Sequence, residues 1–188
     1  MATDPQERDW IRSAAAGNTV AFNRLVLAHR EGAMMLATRL LRNGPDAEDI
    51  VQDAFVKAWE ELPGFRGESL FSSWLYRIVY NLSLNKLRGR KLRWFVRIGE
   101  ESDEEEVNWN LPSDDPLPDE VVISNEQREQ LEGAIKKLPA KQRAIFVMRH
   151  EQGLSNGEIA EITGKSEGSV KANFSFAVAK LREWLEEK

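Results

Sequence analysis

Between Gly99 and Glu126 the chain carries eleven acidic residues and no basic one. The runs EESDEEE and LPSDDPLPDE within it are also punctuated by proline. Such a stretch offers too little apolar surface to offset the entropy of ordering it. It reads as a disordered linker over residues 97–123, and it divides the 188 residues into two small domains, 1–96 and 124–188. A segment of this length spans about 30 Å as a random coil and about 100 Å fully stretched.

On either side of the linker the apolar residues recur at helical spacing, and no long stretch alternates with period two. The spacing predicts helices over Pro5–Ala16, stopped by Gly17-Asn18, and over Val20–Leu41, stopped by Asn43-Gly44-Pro45. Asp46–Glu61 is a third, with Ala47, Ile50, Val51, Ala54 and Ala58 as its inward stripe. After the loop RGESLF a fourth helix runs from Ser72 to about Arg93 and frays near Gly89. Helices resume over Ser124–Lys137 and Pro139–His150, the latter with proline in its first turn. The expected fold is all-α.

Charge is segregated in a way that the net −5 conceals. Residues 63–98 hold eight basic groups and one acidic, immediately before the acidic block. Such a pattern points to a charged partner such as nucleic acid. The chain has no cysteine, which excludes disulfides and thiolate metal sites. His29 and His150 are far apart, and both read as surface or helix-end residues, so neither a metal nor another cofactor is expected. The N-terminal MATDPQERDW is too polar for a signal peptide, and no apolar run is long enough to span a membrane. A cytoplasmic protein is expected.

Residues 154–185 carry the sharpest local motif. Ser155-Asn156-Gly157-Glu158 fits a capping box. A short helix with Ile159, Ala160 and Ile162 inward follows, then Gly164 as a tight turn, then Ser166 as the cap of a second helix. Val170, Phe174, Ala177 and Leu181 form the inward stripe of that helix. This is helix-turn-helix spacing, which would place the second helix in a DNA major groove. The residues facing outward near its start are Ser166, Glu167, Ser169, Lys171, Ala172, Asn173 and Ser175. Asparagine can pair with adenine and lysine with guanine or phosphate. The same spacing also suits an ordinary helical hairpin with a solvated polar face.

In the basic block, Phe65, Phe71, Trp74, Tyr76, Tyr80, Trp94 and Phe95 alternate with Arg66, Arg77, Lys86, Arg88, Arg90, Lys91 and Arg93. Aromatic rings that stack on unpaired bases, beside cations that hold the backbone, suit single-stranded or melting DNA. Trp74, Leu75, Ile78, Val79 and Leu82 equally form a core face. Asp46, Asp49 and Asp53 share one side of the third helix. No histidine or nucleophile–base pair accompanies them, so a partner-binding or solvated face is expected there and no catalytic centre.

Three segments, GPDAEDIVQDAFVKAWEELPGFRGES, FSSWLYRIVYNLSLNKLR and LPAKQRAIFVMRHEQGLSNGEIAEITGKSEGSVKANFSFAVAKLRE, together resemble the extracytoplasmic-function sigma factors of the sigma-70 superfamily. The resemblance implies two helical domains on a flexible linker. It implies no enzymatic activity, no obligate homo-oligomer and three partners: core RNA polymerase, promoter DNA and an anti-sigma factor. Asp46, Asp49, Gln52, Asp53 and Lys57 would meet the polymerase clamp, with Trp59 either joining them or packing inward. Arg66, Trp74, Arg77, Asn81, Asn85, Lys86, Arg88, Arg90, Lys91 and Arg93 would capture and open the downstream promoter element, with Asn81 at a flipped-out base. The outward residues of the helix-turn-helix would read the upstream element, and the acidic linker would thread near the RNA exit path. An anti-sigma factor would hold the protein inactive, in some cases at the membrane.

Overall fold

The computed structural model describes residues 4–98 and 125–186, with the backbone alone at 93–98 and 125–128. Every described element is helical. In the first half these are α1 (Pro5–Ala15), α2 (Thr19–Leu41), α3 (Gly44–Glu61), a 3-10 turn at Leu62–Gly64, and α4 (Phe71–Ile98). The second half has α5 (Asn125–Lys137), α6 (Ala140–Phe146) leading into a π-helical turn (Val147–Glu151), α7 (Asn156–Thr163) and α8 (Glu167–Glu186).

The first three helices begin where a short polar side chain takes up free backbone donors. The Asp4 carboxylate accepts from the Gln6 N–H at 3.0 Å, and the Asn18 side-chain oxygen accepts from Val20 and Ala21 at 3.0 and 3.1 Å. Asn43 accepts from the Asp46 N–H at 2.9 Å. α4 runs to Ile98, five residues past the expected end at Arg93, and does not break at Gly89. Residues 97 and 98 of the expected linker thus belong to α4, and 99–123 lie outside the described residues. The helix expected to reach His150 ends as a regular α-helix at Phe146 and continues as the wider π turn, in which the Gln152 N–H donates to Val147 O at 3.1 Å.

α2 is the axis of the N-terminal bundle, with α1, α3 and α4 packed around it. It buries Leu25, Leu36, Ala37 and Leu40 against Ile50, Val51, Ala54 and Phe55 of α3 and Leu75, Ile78 and Val79 of α4. Each large aliphatic side chain so buried contributes about 1.5–3 kcal/mol before its ordering entropy is charged against it. The α2–α4 approach is close enough to require glycine at Gly32, where a Cβ would overlap the Tyr76 hydroxyl. His29 is not a surface residue. It lies half-buried between α1 and α4, with Nε2 2.5 Å from the Glu7 carboxylate and its ring against Phe71. His150 is exposed, as expected, with its ring centroid 5.1 Å from that of Phe146.

α5, α6 and α8 share a second core of Ala134, Ile135, Leu138, Phe146, Ala177, Val178 and Leu181. The C-terminal unit does not stand apart from the bundle. The first core continues into Ile145, Val147, Met148, Ile159, Ile162 and Val170. Polar side chains also tie the halves together. Arg39 pairs with Glu132 and Glu151, and Arg42 donates to Lys136 O at 3.0 Å. The Gln152 amide donates to Gly32 O at 2.8 Å. Buried Arg143 donates to Lys136 O and Leu138 O within its own unit and to Leu40 O, at the end of α2, at 2.9 Å.

Candidate nucleic-acid interface

α4 sorts the basic segment into two faces. Arg77, Asn81, Asn85 and Arg88 are all exposed, at offsets of four, eight and eleven residues. That spacing keeps them on one stripe of a 3.6-residue helix. Half-buried Trp74 stands at one end of the stripe, and Leu92, 66% exposed, at the other. Lys91 is exposed at its margin, and Arg66 is exposed in the preceding loop, 3.8 Å from Glu68. The Arg93 side chain is outside the described residues.

Lys86 and Arg90 do not join this stripe. At 100° per residue they sit about 140° and 180° around the helix from Asn81. There they meet α3: Lys86 Nζ is 3.0 Å from one Asp46 oxygen and 4.0 Å from Asp49, and Arg90 pairs with the other Asp46 oxygen. Two residues expected at DNA are therefore engaged with a carboxylate expected at polymerase. The reason is geometric: the distal half of α4 lies over the first turn of α3.

Of the five expected stacking aromatics whose side chains are described, three are core. Phe71, Tyr76 and Tyr80 are buried, and burial pushes both tyrosine phenols above their ordinary pKa. Phe65, Phe71 and Trp74 pack as a cluster with ring centroids 5.0–6.1 Å apart, an edge and tilted geometry favoured by ring quadrupoles. Trp74 alone of the three also borders the exposed stripe. The side chains of Trp94 and Phe95 are not among those described.

On α3, Asp49, Gln52, Asp53 and Lys57 are exposed on one side, with Lys57 3.6 Å from Glu61. Asp46 is turned toward α4, and half-buried Trp59 packs edge-on to Phe22 at 5.0 Å. Val56, 58% exposed between Asp53 and Lys57, was absent from the sequence-based set. Its signal was an apolar side chain off the inward stripe, one turn past Gln52 and Asp53.

The helix-turn-helix has the expected construction. The Glu158 N–H donates to Ser155 Oγ at 3.2 Å, while the Ser155 hydroxyl and N–H donate to the Glu158 carboxylate at 2.6 and 2.8 Å. Those two donors, the hydroxyl foremost, hold the Glu158 carboxyl below the usual glutamate pKa. Gly164 makes the turn at φ +68°, and Ser166 Oγ accepts from the Ser169 N–H at 3.2 Å. At the start of α8, Ser166, Glu167 and Lys171 are exposed, while Ser169, Ala172, Asn173 and Ser175 are half-buried. The Asn173 amide donates to Ser169 O at 2.8 Å, a bond within its own helix that orients the side chain.

Two family models match the chain: Sigma-70 region 2 over residues 25–93, and Sigma-70, region 4 over residues 128–181. The chain is 31% identical over 176 residues to the ECF RNA polymerase sigma factor SigW of Bacillus subtilis, covering 93% of this chain and 94% of SigW. Among solved structures it is similar to CnrH in complex with the cytosolic domain of CnrY, with TM-score 0.68 and 26% identity over 97% of this chain and 99% of that one. It is also similar to the sigma factor RpoE in complex with the anti-sigma factor NepR from Bartonella quintana, with TM-score 0.67 and 25% identity over 88% and 96%. An all-α bundle followed by a helix-turn-helix, together with these matches, places the chain among the extracytoplasmic-function sigma factors of the sigma-70 superfamily, non-catalytic subunits that direct RNA polymerase to promoters.

Proposed function

We propose that the chain binds core polymerase through the exposed side of α3 and opens promoter DNA with the exposed stripe of α4. The observation that carries this reading is the row Arg77, Asn81, Asn85 and Arg88, directed away from α3. Two cations can hold phosphates, while the two amides between them offer a donor and an acceptor each to the polar edge of an unstacked base. Asn81 is the residue for the flipped-out base. Asp49, Gln52, Asp53 and Lys57, with Val56 at their centre, make the polymerase contact. A mixed polar rim around one apolar residue is the composition of a non-obligate interface.

The start of α8, with Lys171 as its early cation, reads the upstream element with modest affinity. We divide the chain into a downstream-promoter domain at 1–98, a linker at 99–123 and an upstream-promoter domain at 124–188. The linker lies near the RNA exit path, where its negative charge resembles RNA. The RpoE complex with the anti-sigma factor NepR supports an anti-sigma factor as the regulator of this chain as well. No helix among the described residues is long and apolar enough to cross a membrane.

The test is to mix the purified chain with core polymerase and a promoter library and to sequence the transcripts. Promoter-dependent transcripts sharing one motif are expected. Their absence, with core polymerase active on a control sigma subunit, overturns the reading.

A further inference from the structure

α4 is 28 residues long, and its last fully buried residue is Ser83 among those whose side chains are described. Beyond it the helix rests on half-buried Leu84 and Leu87 and on the ion pairs to α3. Within this weakly supported half stands Gly89, and a Cβ there would meet nothing within 4 Å, so packing does not demand a glycine. A glycine inside a helix costs about 1 kcal/mol relative to alanine and lowers the resistance to bending at that point. The two cations that reach Asp46 flank it: Lys86 lies three residues before and Arg90 one residue after.

We propose that Asp46 is a positioning residue for promoter recognition. Its carboxylate bridges Lys86 and Arg90 across Gly89, splints α4 at its weakest point, and so fixes the direction in which the DNA-facing stripe continues into Lys91 and Leu92. The Asp46 side chain is 19% exposed, and those of Lys86 and Arg90 are 32% and 35% exposed. It sits on the same helix as the exposed residues Asp49, Gln52 and Asp53, about one turn before Asp49 and two before the others. The carboxylate therefore ties the bearing of the DNA helix to the helix that docks on polymerase. The inference rests on the reading of α4 as the DNA helix.

The experiment uses the full chain assembled with core polymerase and a fork probe, single-stranded at the downstream element and duplex upstream of it. Asp46→Asn is expected to leave the affinity for core polymerase within about twofold and to weaken binding of the fork probe about fivefold, the effect of losing a partly exposed ion-pair network. Adding Gly89→Ala, which stiffens the helix without touching Asp46, is expected to restore most of that loss. Lys86→Met, which removes one arm from the other helix, should reproduce part of it. Thermal melting of each variant distinguishes a shifted helix from a damaged fold.

Equal losses toward polymerase and DNA, unrelieved by Gly89→Ala, would make Asp46 a polymerase contact and overturn the proposal. Unchanged fork binding in Asp46→Asn overturns it too. If the unmodified chain bound neither polymerase nor the fork probe, the functional reading itself would fall.

Discussion

Tyr76 lies across α2 where only Gly32 leaves room for its hydroxyl. Gly32→Ala should destabilise the protein by about 1–3 kcal/mol, the usual cost of forcing one extra carbon into a filled core. Chemical denaturation measures this, and the pairing makes the cause specific. Tyr76→Phe removes the atom in the way, so the double variant should recover most of the loss; no recovery would mean that the strain lies in the α2 backbone. Asn81 poses the matching question for function. Its side chain is exposed and has no packing duty, so Asn81→Ala should leave the melting temperature within about 2 °C. Open-complex formation should fall by about tenfold, the worth of a paired buried polar contact, while binding to closed duplex changes little. Equal losses in the two assays would remove the flipped-base role.

At the scale of the element, the capping box of α7 is the clearest case of local sequence dictating local structure. Ser155 and Glu158 satisfy each other, and Ser155→Ala should cost about 1 kcal/mol in stability. The same bonds make a pH prediction. The native Glu158 carboxyl titrates below the ordinary value of 4.5, so its contribution is complete above that pH and is lost as pH falls through the lowered native value. The protection factors of the amides in the first turn of α7, which discount the intrinsic slowing of exchange in acid, should therefore fall on acidification in the native protein, and Glu158→Gln should blunt that change. What was legible in the sequence follows the same division. Caps, turns and inward stripes are written by neighbouring residues, so α1, α2, α3 and α7 lie within two residues of where the pattern puts them. The partner of a surface cation is set by another helix. Lys86 and Arg90 therefore resembled Arg77 and Arg88 until α3 came to lie beneath them, and the half-burial of Asp46 was hidden for the same reason, while Trp59 kept two alternatives until Phe22 was placed beside it. Composition alone could not separate core aromatics from a stacking platform, because buried Tyr80 and half-buried Trp74 both sit among basic residues.

The whole molecule poses a problem of reach. With the two halves packed on a shared core, a chain of this length has a radius of gyration of about 16 Å and is about 40 Å across. Two grips on one duplex two turns apart need about 70 Å. If the two halves grip the two promoter elements as proposed, the packed arrangement cannot hold both, and the halves would separate when polymerase takes up the protein. Residues 99–124 are long enough to allow this, at about 90 Å fully extended. The contacts to be broken include a charged latch. Glu132, through its hydrogen bond, and then Glu151 raise the pKa of Arg39 further, and both carboxylates are at most about a third exposed. Arg39→Glu would set three carboxylates together in place of one cation between two, and like charges at this separation repel by about as much as the original pairs attract. Small-angle scattering of the free variant should show a radius of gyration well above 16 Å, while the unmodified chain stays near it. The gap should narrow in high salt, which weakens both the latch and the repulsion. An opened variant has less to undo on meeting core polymerase, so it should associate faster and tighter by the fraction of closed state removed. If Arg39→Glu scatters as compactly as the unmodified chain, the apolar seam through Ile145, Met148 and Ile159 holds the halves by itself, and the next substitution to test is Met148→Asp.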